Sequence, residues 1–252
     1  FSEHIGCSIF RHLGIPAQET FLATCIDPMN KMEKIVVACK LFCQNGEGNL
    51  VEFSKFLLND TDSTSRRTTT VEDVMDVLDH SPLRLDREKI KAYFWDMFVV
   101  DAFIGNGDRH LDNWGLIEMT DGTLSPAPIY DCGSSLSPLK SDNEKAYLLE
   151  NGTAFKREEY NLNSVYRMNN ERVLYHEIFK NPPEDLHRAI LRIVPRIKTA
   201  SAQIDRLIDS TEGLSDISKE YMKKSLLLRR ELILLPALKQ CNKREESRGF
   251  SR

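Results

Sequence analysis

The chain has 252 residues, with 34 Lys and Arg against 38 Asp and Glu and a formal net charge of −4. This length suits one large domain or a small lobe joined to a larger one, and the charge lacks the basic excess of nucleic-acid binders, so we expect no direct nucleic-acid ligand. No run approaches the roughly 18 apolar residues that a membrane span needs, and the six scattered cysteines indicate reduced thiols rather than disulfides or a zinc site, which predicts a cytoplasmic protein.

The N-terminal part predicts one helix followed by a small antiparallel sheet. Apolar residues recur at helical spacing over residues 3–14, and Gly14 before Ile-Pro is typical of a helix end. Two β-rich runs, 19–25 and 34–42, flank a turn-rich segment at 27–30. This pattern predicts a hairpin.

The middle of the chain alternates between polar and strongly apolar segments. Residues 45–70 are polar and predict a surface loop, whereas 71–78 and 86–105 show helical periodicity. The second of these is apolar over a broad surface, which is typical of a buried core helix. Two apolar runs, 114–119 and a second ending at Tyr130, surround an Asp-Gly turn and predict a strand, a turn and a strand.

Helix formers dominate the remainder of the chain. Helical spacing extends over residues 173–179, 183–208 and 215–235, and Asp185 and Ser215 are placed to begin helices. We expect these helices to form a scaffold behind a functional site.

A candidate catalytic loop lies between the apolar helix predicted over 86–105 and the strand predicted over 114–119. Phosphoryl transfer by kinases uses an Asp that orients the acceptor hydroxyl and an Asn five positions later that binds a metal ion. It also uses a second Asp, preceded by a strand, that holds Mg²⁺ on the phosphates. Asp108, Asn113 and Asp131 supply these residues in that order. The last belongs to a D-x-G motif in which Cys132 replaces Phe.

The two metal-binding candidates occupy the ends of the predicted hairpin. A hairpin returns Asp131 to the end of the sheet where Asn113 lies, and one carboxylate with one amide oxygen suits Mg²⁺. Each motif alone is common in turns, so the assignment depends on their combination. His110 is either a surface histidine or a support for the loop or the phosphates, and Arg109 is equally well a salt-bridge partner of a carboxylate.

With these residues in view, the chain resembles the HipA-like serine/threonine kinase family. The resemblance is carried by Ser2-Glu3-His4-Ile5-Gly6 with Leu13-Gly14-Ile15-Pro16, by Val36-Val37-Ala38-Cys39-Lys40-Leu41-Phe42, by the block from Trp95 to Asn113, and by Pro128-Ile129-Tyr130-Asp131. It implies an α+β, protein-kinase-like fold with a small antiparallel sheet segment followed by a large, mainly helical lobe. Residues 1–42 would be a remnant of the small lobe and hinge, and 43–252 the large lobe.

The resemblance also implies roles for individual residues and ligands. ATP and Mg²⁺ would be the cofactors, a protein Ser/Thr hydroxyl the acceptor, and an antitoxin or regulatory protein a partner. Asp108 would be the catalytic base, and Asn113 and Asp131 would bind Mg²⁺. The nucleotide would contact these two residues and the following further ones: Lys40, Leu41, Phe42, His110 and Tyr130.

One part of the kinase pattern is absent from the given sequence. In the family, a phosphate-cradling loop and a strand lysine precede the helix that here begins near residue 3. That lysine pairs with a carboxylate on the helix, and Glu3 occupies a similar position in this chain. We expect the loop and the lysine to lie upstream of Phe1, and the chain alone to be a poor kinase.

Two alternative functions remain open at this stage. Gly-Asp-Arg-His-x-x-Asn also resembles the catalytic loop of phosphoinositide kinases, although the net negative charge disfavours a membrane-facing enzyme. A non-catalytic interaction module that keeps the kinase fold is the other alternative. The presence of Asp108, Asn113 and Asp131 disfavours that module, whereas the absence of the phosphate-binding loop and lysine from this sequence favours it.

Overall fold

The computed structural model describes residues 1–43, 48–57, 70–80 and 84–249. Helix α1 (Ser2–His12) buries Ile5, Ile9 and Phe10, as the apolar spacing predicts. It ends just before Gly14, which has a φ of +74°, a left-handed conformation that glycine adopts at little cost. The predicted N-terminal helix is confirmed.

The predicted hairpin follows as strands β1 (Thr20–Ile26) and β2 (Glu33–Cys39). The strands pair antiparallel, with Thr20 opposite Cys39 and Ile26 opposite Glu33. The second strand ends at Cys39 rather than at residue 42, so Lys40, Leu41 and Phe42 belong to the segment that leaves the sheet. Most side chains of this two-stranded sheet are exposed.

The prediction of a surface loop over residues 45–70 is wrong for its central part. Strand β3 (Asn49–Glu52) continues into a 3₁₀ turn (Phe53–Leu57), and Phe53 is fully buried. Its ring stacks on Trp114 with 4.1 Å between the centroids, a long-range contact that the polar average of the segment concealed. The predicted loop at residues 45–47 and 58–69 lies outside the described residues.

Two predicted helices lead to the candidate catalytic loop. They are α2 (Val71–His80) and α3 (Arg87–Ile104). Asp86 caps α3 by accepting a hydrogen bond from the Lys89 backbone N–H at 3.1 Å. Gly105 terminates it with a φ of +69°. Helix α3 is buried around most of its circumference, which confirms the predicted core helix.

The strand, turn and strand predicted between Asn113 and Asp131 are confirmed. Strands β4 (Gly115–Glu118) and β5 (Leu124–Pro126) pair antiparallel, and β3 adds to the other side of β4 to complete a three-stranded sheet. Because β4 begins just after Asn113 and β5 ends shortly before Asp131, the two residues return to the same end of the sheet.

The remaining elements form a helical scaffold with one small hairpin. In chain order they are α4 (Asp142–Glu150), α5 (Gly152–Tyr160), β6 (Asn163–Met168), β7 (Glu171–Leu174), α6 (Tyr175–Ile178), α7 (Glu184–Ser210), α8 (Asp216–Arg229), a π-helical turn (Arg230–Leu234) and α9 (Leu235–Gly249). The long helices predicted over 183–208 and 215–235 are confirmed, and the fold is α+β and mainly helical.

Two details of this region correct the sequence prediction. The helix predicted over 173–179 begins only at Tyr175, because Val173 and Leu174 pair with β6 in strand β7. Asp185 lies inside the first turn of α7 instead of starting it, because Pro183 occupies the cap. Ser215 caps α8 as predicted, accepting from the Ser218 N–H at 3.1 Å.

Helix α3 packs against α7, and α1 joins the same apolar cluster. The proposed division at residue 42 stays a prediction. Across the described ranges, none of the helices combines the length and hydropathy that crossing a bilayer requires. All six cysteines are free thiols in the structure.

Candidate active site

The loop that carries Asp108 is anchored by hydrogen bonds among buried polar side chains, one of which is Asp101 of helix α3. Asn106 is buried and donates from Nδ2 to Asp101 Oδ1 at 3.2 Å, and its own Oδ1 accepts from the Asp108 backbone N–H at 3.2 Å. Tyr175 fixes the same residue by donating to the Asn106 carbonyl at 3.1 Å. The side chain of Asp108 therefore projects into solvent from a rigid support.

Arg109 connects this loop to both ends of the β4–β5 hairpin. Its Nε and Nη2 donate to the two carboxylate oxygens of Asp101 at 3.0 and 3.1 Å, and both side chains are 2 % exposed. Its Nη1 donates to the Asn113 carbonyl at 2.7 Å and also to the Tyr130 carbonyl. The salt-bridge role left open for Arg109 is confirmed.

The charge of Arg109 is secured by its partner. Burial by itself lowers the pKa of Arg109, but the attraction of Asp101 more than compensates and holds that pKa well above its usual value. A permanently charged guanidinium is thus enclosed beneath the loop. It can organise main-chain oxygens without exchanging protons.

Asn113 is placed directly against the main chain of Asp108. Its Nδ2 donates to the Asp108 carbonyl at 2.8 Å, and the side chain is largely buried. Because this bond engages the amide nitrogen, it also fixes the orientation of the amide oxygen. The contact joins the first and last residues of the predicted D-x-x-x-x-N motif.

Asp131 has an unusual backbone conformation. Its φ of +54° is left-handed, which is uncommon outside glycine and clusters at functional sites. Helix α1 packs closely behind it: a Cβ built on Gly6 would lie 2.5 Å from Cys132 Cβ. The hydrogen bond between the Cys7 and Cys132 thiols, together with burial, raises the pKa of Cys7.

Ser134 brings a hydroxyl to the candidate base. Its Oγ donates to Asp108 Oδ2 at 3.5 Å, and both side chains are exposed. The contact connects the segment after Asp131 with the loop of Asp108. Sequence reasoning missed Ser134, although its position just after the D-x-G motif was visible.

The residues predicted to contact the nucleotide fall into two groups. Phe42 lies beside Tyr130, with 5.8 Å between ring centroids, and the Tyr130 hydroxyl donates to the Asp112 carbonyl at 3.1 Å. Burial, with smaller contributions from nearby acidic groups, raises the pKa of Tyr130, so its hydroxyl stays a neutral donor. Phe42 and Tyr130 thus place an aromatic surface next to Asp131.

The side chain of Lys40 belongs to an exposed ion pair with Glu19. Its Nζ pairs with the Glu19 carboxylate at 3.1 Å, whereas its carbonyl accepts from Gln18 Nε2 at 3.1 Å. Leu41 is 71 % exposed. Contacts of Lys40 and Leu41 with a nucleotide stay predictions.

His110 makes hydrogen bonds within the catalytic loop itself. Its backbone N–H donates to the Asp108 carbonyl at 2.8 Å, and its Nδ1 accepts from the Asp112 N–H at 3.3 Å. The histidine therefore stabilises the turn between Asp108 and Asn113. A direct role with the nucleotide stays a prediction.

A cleft of about 500 Å³ opens beside Gly133 of the D-x-G motif. Gly133 forms its wall on the side of Asp131, and Glu3 lies next to it. The opposite wall contains Lys145, whose Nζ donates to Ser218 Oγ at 2.8 Å, and Asp142, which accepts from the same hydroxyl at 3.0 Å. Charged and polar side chains thus lie on that wall, beside apolar groups such as Phe1 and Met222.

The donor set at Asn113 and Asp131 fits a hard cation. One carboxylate and one amide oxygen match the preference of Mg²⁺, which usually shares one or two protein ligands with phosphates and water. Within the described ranges, three or more His, Cys, Asp or Glu side chains do not gather into a metal cluster.

A second buried ion pair supports the site and was not predicted. Arg229 Nε donates to Glu159 Oε2 at 2.5 Å, each side chain is 1 % exposed, and Arg229 Nη1 donates to the Phe103 carbonyl at 3.2 Å. A Cβ on Gly105 would lie 2.5 Å from the guanidinium carbon. The pair therefore lies directly beneath the end of α3 where the loop begins.

Comparison with protein families and curated sequences gives two findings. The model of the HipA-like C-terminal domain matches residues 2–201. The serine/threonine-protein kinase CtkA of Helicobacter pylori strain J99 is 34 % identical over 239 residues, which cover 93 % of this chain and 70 % of CtkA.

Solved structures agree with these findings. The crystal structure of the H. pylori proinflammatory kinase CtkA has a TM-score of 0.88 at 31 % identity, with 97 % of this chain and 87 % of that chain covered. HipA of Shewanella oneidensis MR-1, solved with HipB and operator DNA, has a TM-score of 0.52 at 15 % identity, with 92 % and 55 % covered. At that identity the HipA likeness shows the fold alone.

Proposed function

The chain belongs to the HipA-like C-terminal domain family, and from that premise we propose that it transfers the γ-phosphoryl group of ATP to a serine or threonine hydroxyl of a protein. Family membership confirms the resemblance predicted from the sequence. The likeness to CtkA confirms the kinase-like fold and the predicted enzyme class, a serine/threonine protein kinase.

One observation carries the proposed reaction: Arg109 holds the main chain at Asn113 and at Tyr130 together, immediately beside Asp108 and Asp131. Phosphoryl transfer depends mainly on positioning and charge stabilisation rather than on covalent chemistry by the protein. A rigid, permanently charged connection between the two halves of the site meets that need.

Asp108 is the proposed base. It is exposed, its main chain is fixed by Asn106 and Asn113, and the Ser134 contact indicates that a hydroxyl can approach its carboxylate. In the reaction it would orient the acceptor hydroxyl and accept its proton as the phosphoryl group departs from ADP. The cleft bounded by Gly133 and Lys145 would receive the acceptor segment.

Asn113 and Asp131 are the proposed metal-binding residues. When bound, Mg²⁺ would neutralise charge on the phosphate oxygens. The protein itself contributes the fixed amide of Asn113 and the exposed side chain of Asp131, whose backbone is left-handed. We propose that Lys40, Leu41, Phe42 and Tyr130 contact the adenosine part, with His110 nearer the phosphates.

The test is a transfer assay with radiolabelled ATP on the full-length protein, run with and without Mg²⁺. Casein is offered as the protein acceptor and phosphatidylinositol vesicles as the lipid acceptor in parallel. We expect Mg²⁺-dependent phosphoserine or phosphothreonine on casein, and at least a ten-fold loss in Asp131→Asn, because the metal loses its charged ligand. Asp121→Asn, at the exposed turn of the β4–β5 hairpin, is the matched control.

Labelled lipid without labelled casein would replace the proposal with the phosphoinositide-kinase alternative. Absence of both transfer and ATP binding would favour the non-catalytic module. An antitoxin or regulatory partner and a cytoplasmic location stay predictions, because the HipA structure supports the fold alone.

A further inference from the structure

Left-handed backbone outside glycine is concentrated in the segment from Asp131 to Ser137. Six non-glycine residues of the described ranges have a positive φ, and three of them, Asp131, Leu136 and Ser137, lie in this short segment at +54°, +59° and +55°. The other three lie in the turns of the β1–β2 and β6–β7 hairpins, where such a conformation is ordinary. For a side chain as bulky as Leu136 the conformation is an outlier, which persists only where the surrounding structure imposes it.

Leu136 and Ser137 are held by contacts with two different helices. Leu136 is fully buried, and its N–H donates to the Ile104 carbonyl at 3.0 Å, at the end of α3. The Ser137 Oγ lies 3.2 Å from the hydroxyl oxygen of Tyr221, which belongs to α8. The core helix thus fixes the main chain of the strained segment, and Tyr221 contacts its side chain.

Tyr221 is itself held firmly within the helical scaffold. Its ring is fully buried and stacks on Phe155 of α5, with 4.9 Å between the centroids and 9° between the planes. Its hydroxyl oxygen also lies 3.4 Å from Glu159 Oε1, and that carboxylate oxygen accepts from the Ser225 hydroxyl at 3.0 Å. The hydroxyl therefore has a fixed position from which it contacts Ser137.

We propose that Tyr221 is a positioning residue of the active site, which acts through Ser137 to keep Asp131 in the conformation that binds a metal ion. This inference rests on the proposed kinase function. The connection to Asp131 is short, because Ser135 closes a turn onto the Cys132 carbonyl with its N–H at 3.0 Å and its hydroxyl at 2.6 Å. A displacement of Ser137 therefore moves the turn that directly follows Asp131.

A residue that supports a metal ligand acts on the affinity for the metal. Removing a direct partner of such a ligand lowers the affinity about 10- to 100-fold, and a smaller effect is expected of Tyr221, which acts through an intervening turn. Asp108 is supported separately, by Asn106 and Asn113. Loss of the Tyr221 hydroxyl should therefore raise the Mg²⁺ requirement of the reaction and leave the rate at saturating Mg²⁺ almost unchanged.

The test uses the full-length Tyr221→Phe protein, which keeps the ring and loses only the hydroxyl. Transfer to casein is measured against Mg²⁺ concentration, and hydrogen–deuterium exchange of residues 131–137 is measured without nucleotide or metal. We expect the half-saturating Mg²⁺ concentration to rise about five-fold or more, with little change in kcat, and exchange in this segment to become faster. Tyr147→Phe, which changes an exposed tyrosine of α4, should match the parent in both measurements.

Ser137→Ala tests whether Tyr221 acts through this serine. It should reproduce both changes, and the double variant should be no further impaired than either single variant, because all three proteins lack the same contact. Additive increases in the Mg²⁺ requirement would overturn the route through Ser137.

The remaining outcomes separate the inference from the proposed function. An unchanged Mg²⁺ requirement in Tyr221→Phe, with or without a lower temperature of thermal unfolding, would overturn the positioning role and leave the kinase function intact. Unchanged exchange over residues 131–137 would overturn it equally. Absence of transfer by the full-length parent at every Mg²⁺ concentration would overturn both.

Discussion

The guanidinium of Arg109 and the carboxylate of Asp101 form a two-pronged ion pair, with contacts of 3.0 and 3.1 Å, beneath the loop that carries the candidate base. Asp101 belongs to the core helix, whereas the third nitrogen of Arg109 reaches both ends of the β4–β5 hairpin. One arginine therefore fixes the relative position of three segments of the site.

Arg109→Lys keeps the positive charge but removes the planar fork that makes these contacts. We expect kcat for phosphate transfer to fall at least ten-fold, with a much smaller change in KM for ATP, because the catalytic loop rather than the adenosine contacts is displaced. Steady-state kinetics on casein would measure both. Equal kcat values for the variant and the parent would contradict the positioning role.

The pair of Arg229 and Glu159 allows a test of stability. Removing one partner of a buried ion pair costs about 3–5 kcal/mol, because the other charge is left buried and unpaired. Urea unfolding should show that loss in Arg229→Met and in Glu159→Leu, and a much smaller one in the double variant.

The control is the exposed pair of Arg248 and Glu184, where Arg248→Met should leave the free energy of unfolding almost unchanged, because solvent screens the two charges. Additive losses at Arg229 and Glu159 would show that the two side chains do not depend on one another.

How much of this arrangement follows from the sequence depends on separation along the chain. The approach of Asn113 to Asp131 was predictable, because a hairpin is a local structure that its own turn residues specify. The Arg229–Glu159 pair joins residues 70 positions apart, and the Phe53–Trp114 stack also crosses elements. No local pattern encodes such contacts.

Asp101 is an intermediate case. A charged residue within a nearly continuous apolar helix is expensive to bury without a partner, so its position signalled an ion pair. From the sequence alone, Arg109 was likewise a candidate partner for a nearby carboxylate. The aim of Ser134 at Asp108, in contrast, depends on the fold of the segment after Asp131.

The close packing of α1 on Cys132 predicts sensitivity at Gly6. An added Cβ would lie 2.5 Å from Cys132 Cβ, so Gly6→Ala must displace α1 from the segment that carries Asp131. We expect about 1–3 kcal/mol of destabilisation in urea unfolding, as for other overpacked sites, and reduced transfer.

Gly152→Ala is the matched control, because a Cβ there meets nothing within 4 Å. It lies at the start of α5, where alanine should be neutral or slightly stabilising. A Gly6→Ala protein as stable as Gly152→Ala would contradict the packing argument.

His4 makes the folded protein sensitive to acid. Its Nδ1 lies 3.1 Å from the Thr20 carbonyl oxygen, and burial lowers the pKa of His4 below the usual 6.5 despite that hydrogen bond. The unfolded chain therefore binds more protons than the folded one once the pH falls below about 6.5, and the free energy of unfolding decreases there.

Urea unfolding at pH 7.5 and pH 5.5 would measure this effect. His4→Gln should lose less stability on acidification than the parent, and His80→Gln, which changes an exposed histidine of α2, should lose as much as the parent. An identical acid response in His4→Gln would exclude His4 as a contributor.

The most direct test of the proposed function is the rate of phosphate transfer to casein by the full-length Asp108→Asn protein, measured beside the full-length parent and Asp121→Asn. Asn keeps the size of the side chain but cannot accept the hydroxyl proton, so we expect a loss of about 10²- to 10⁴-fold with unchanged thermal unfolding. Transfer by Asp108→Asn at the parent rate would contradict the assignment of Asp108 as the catalytic base.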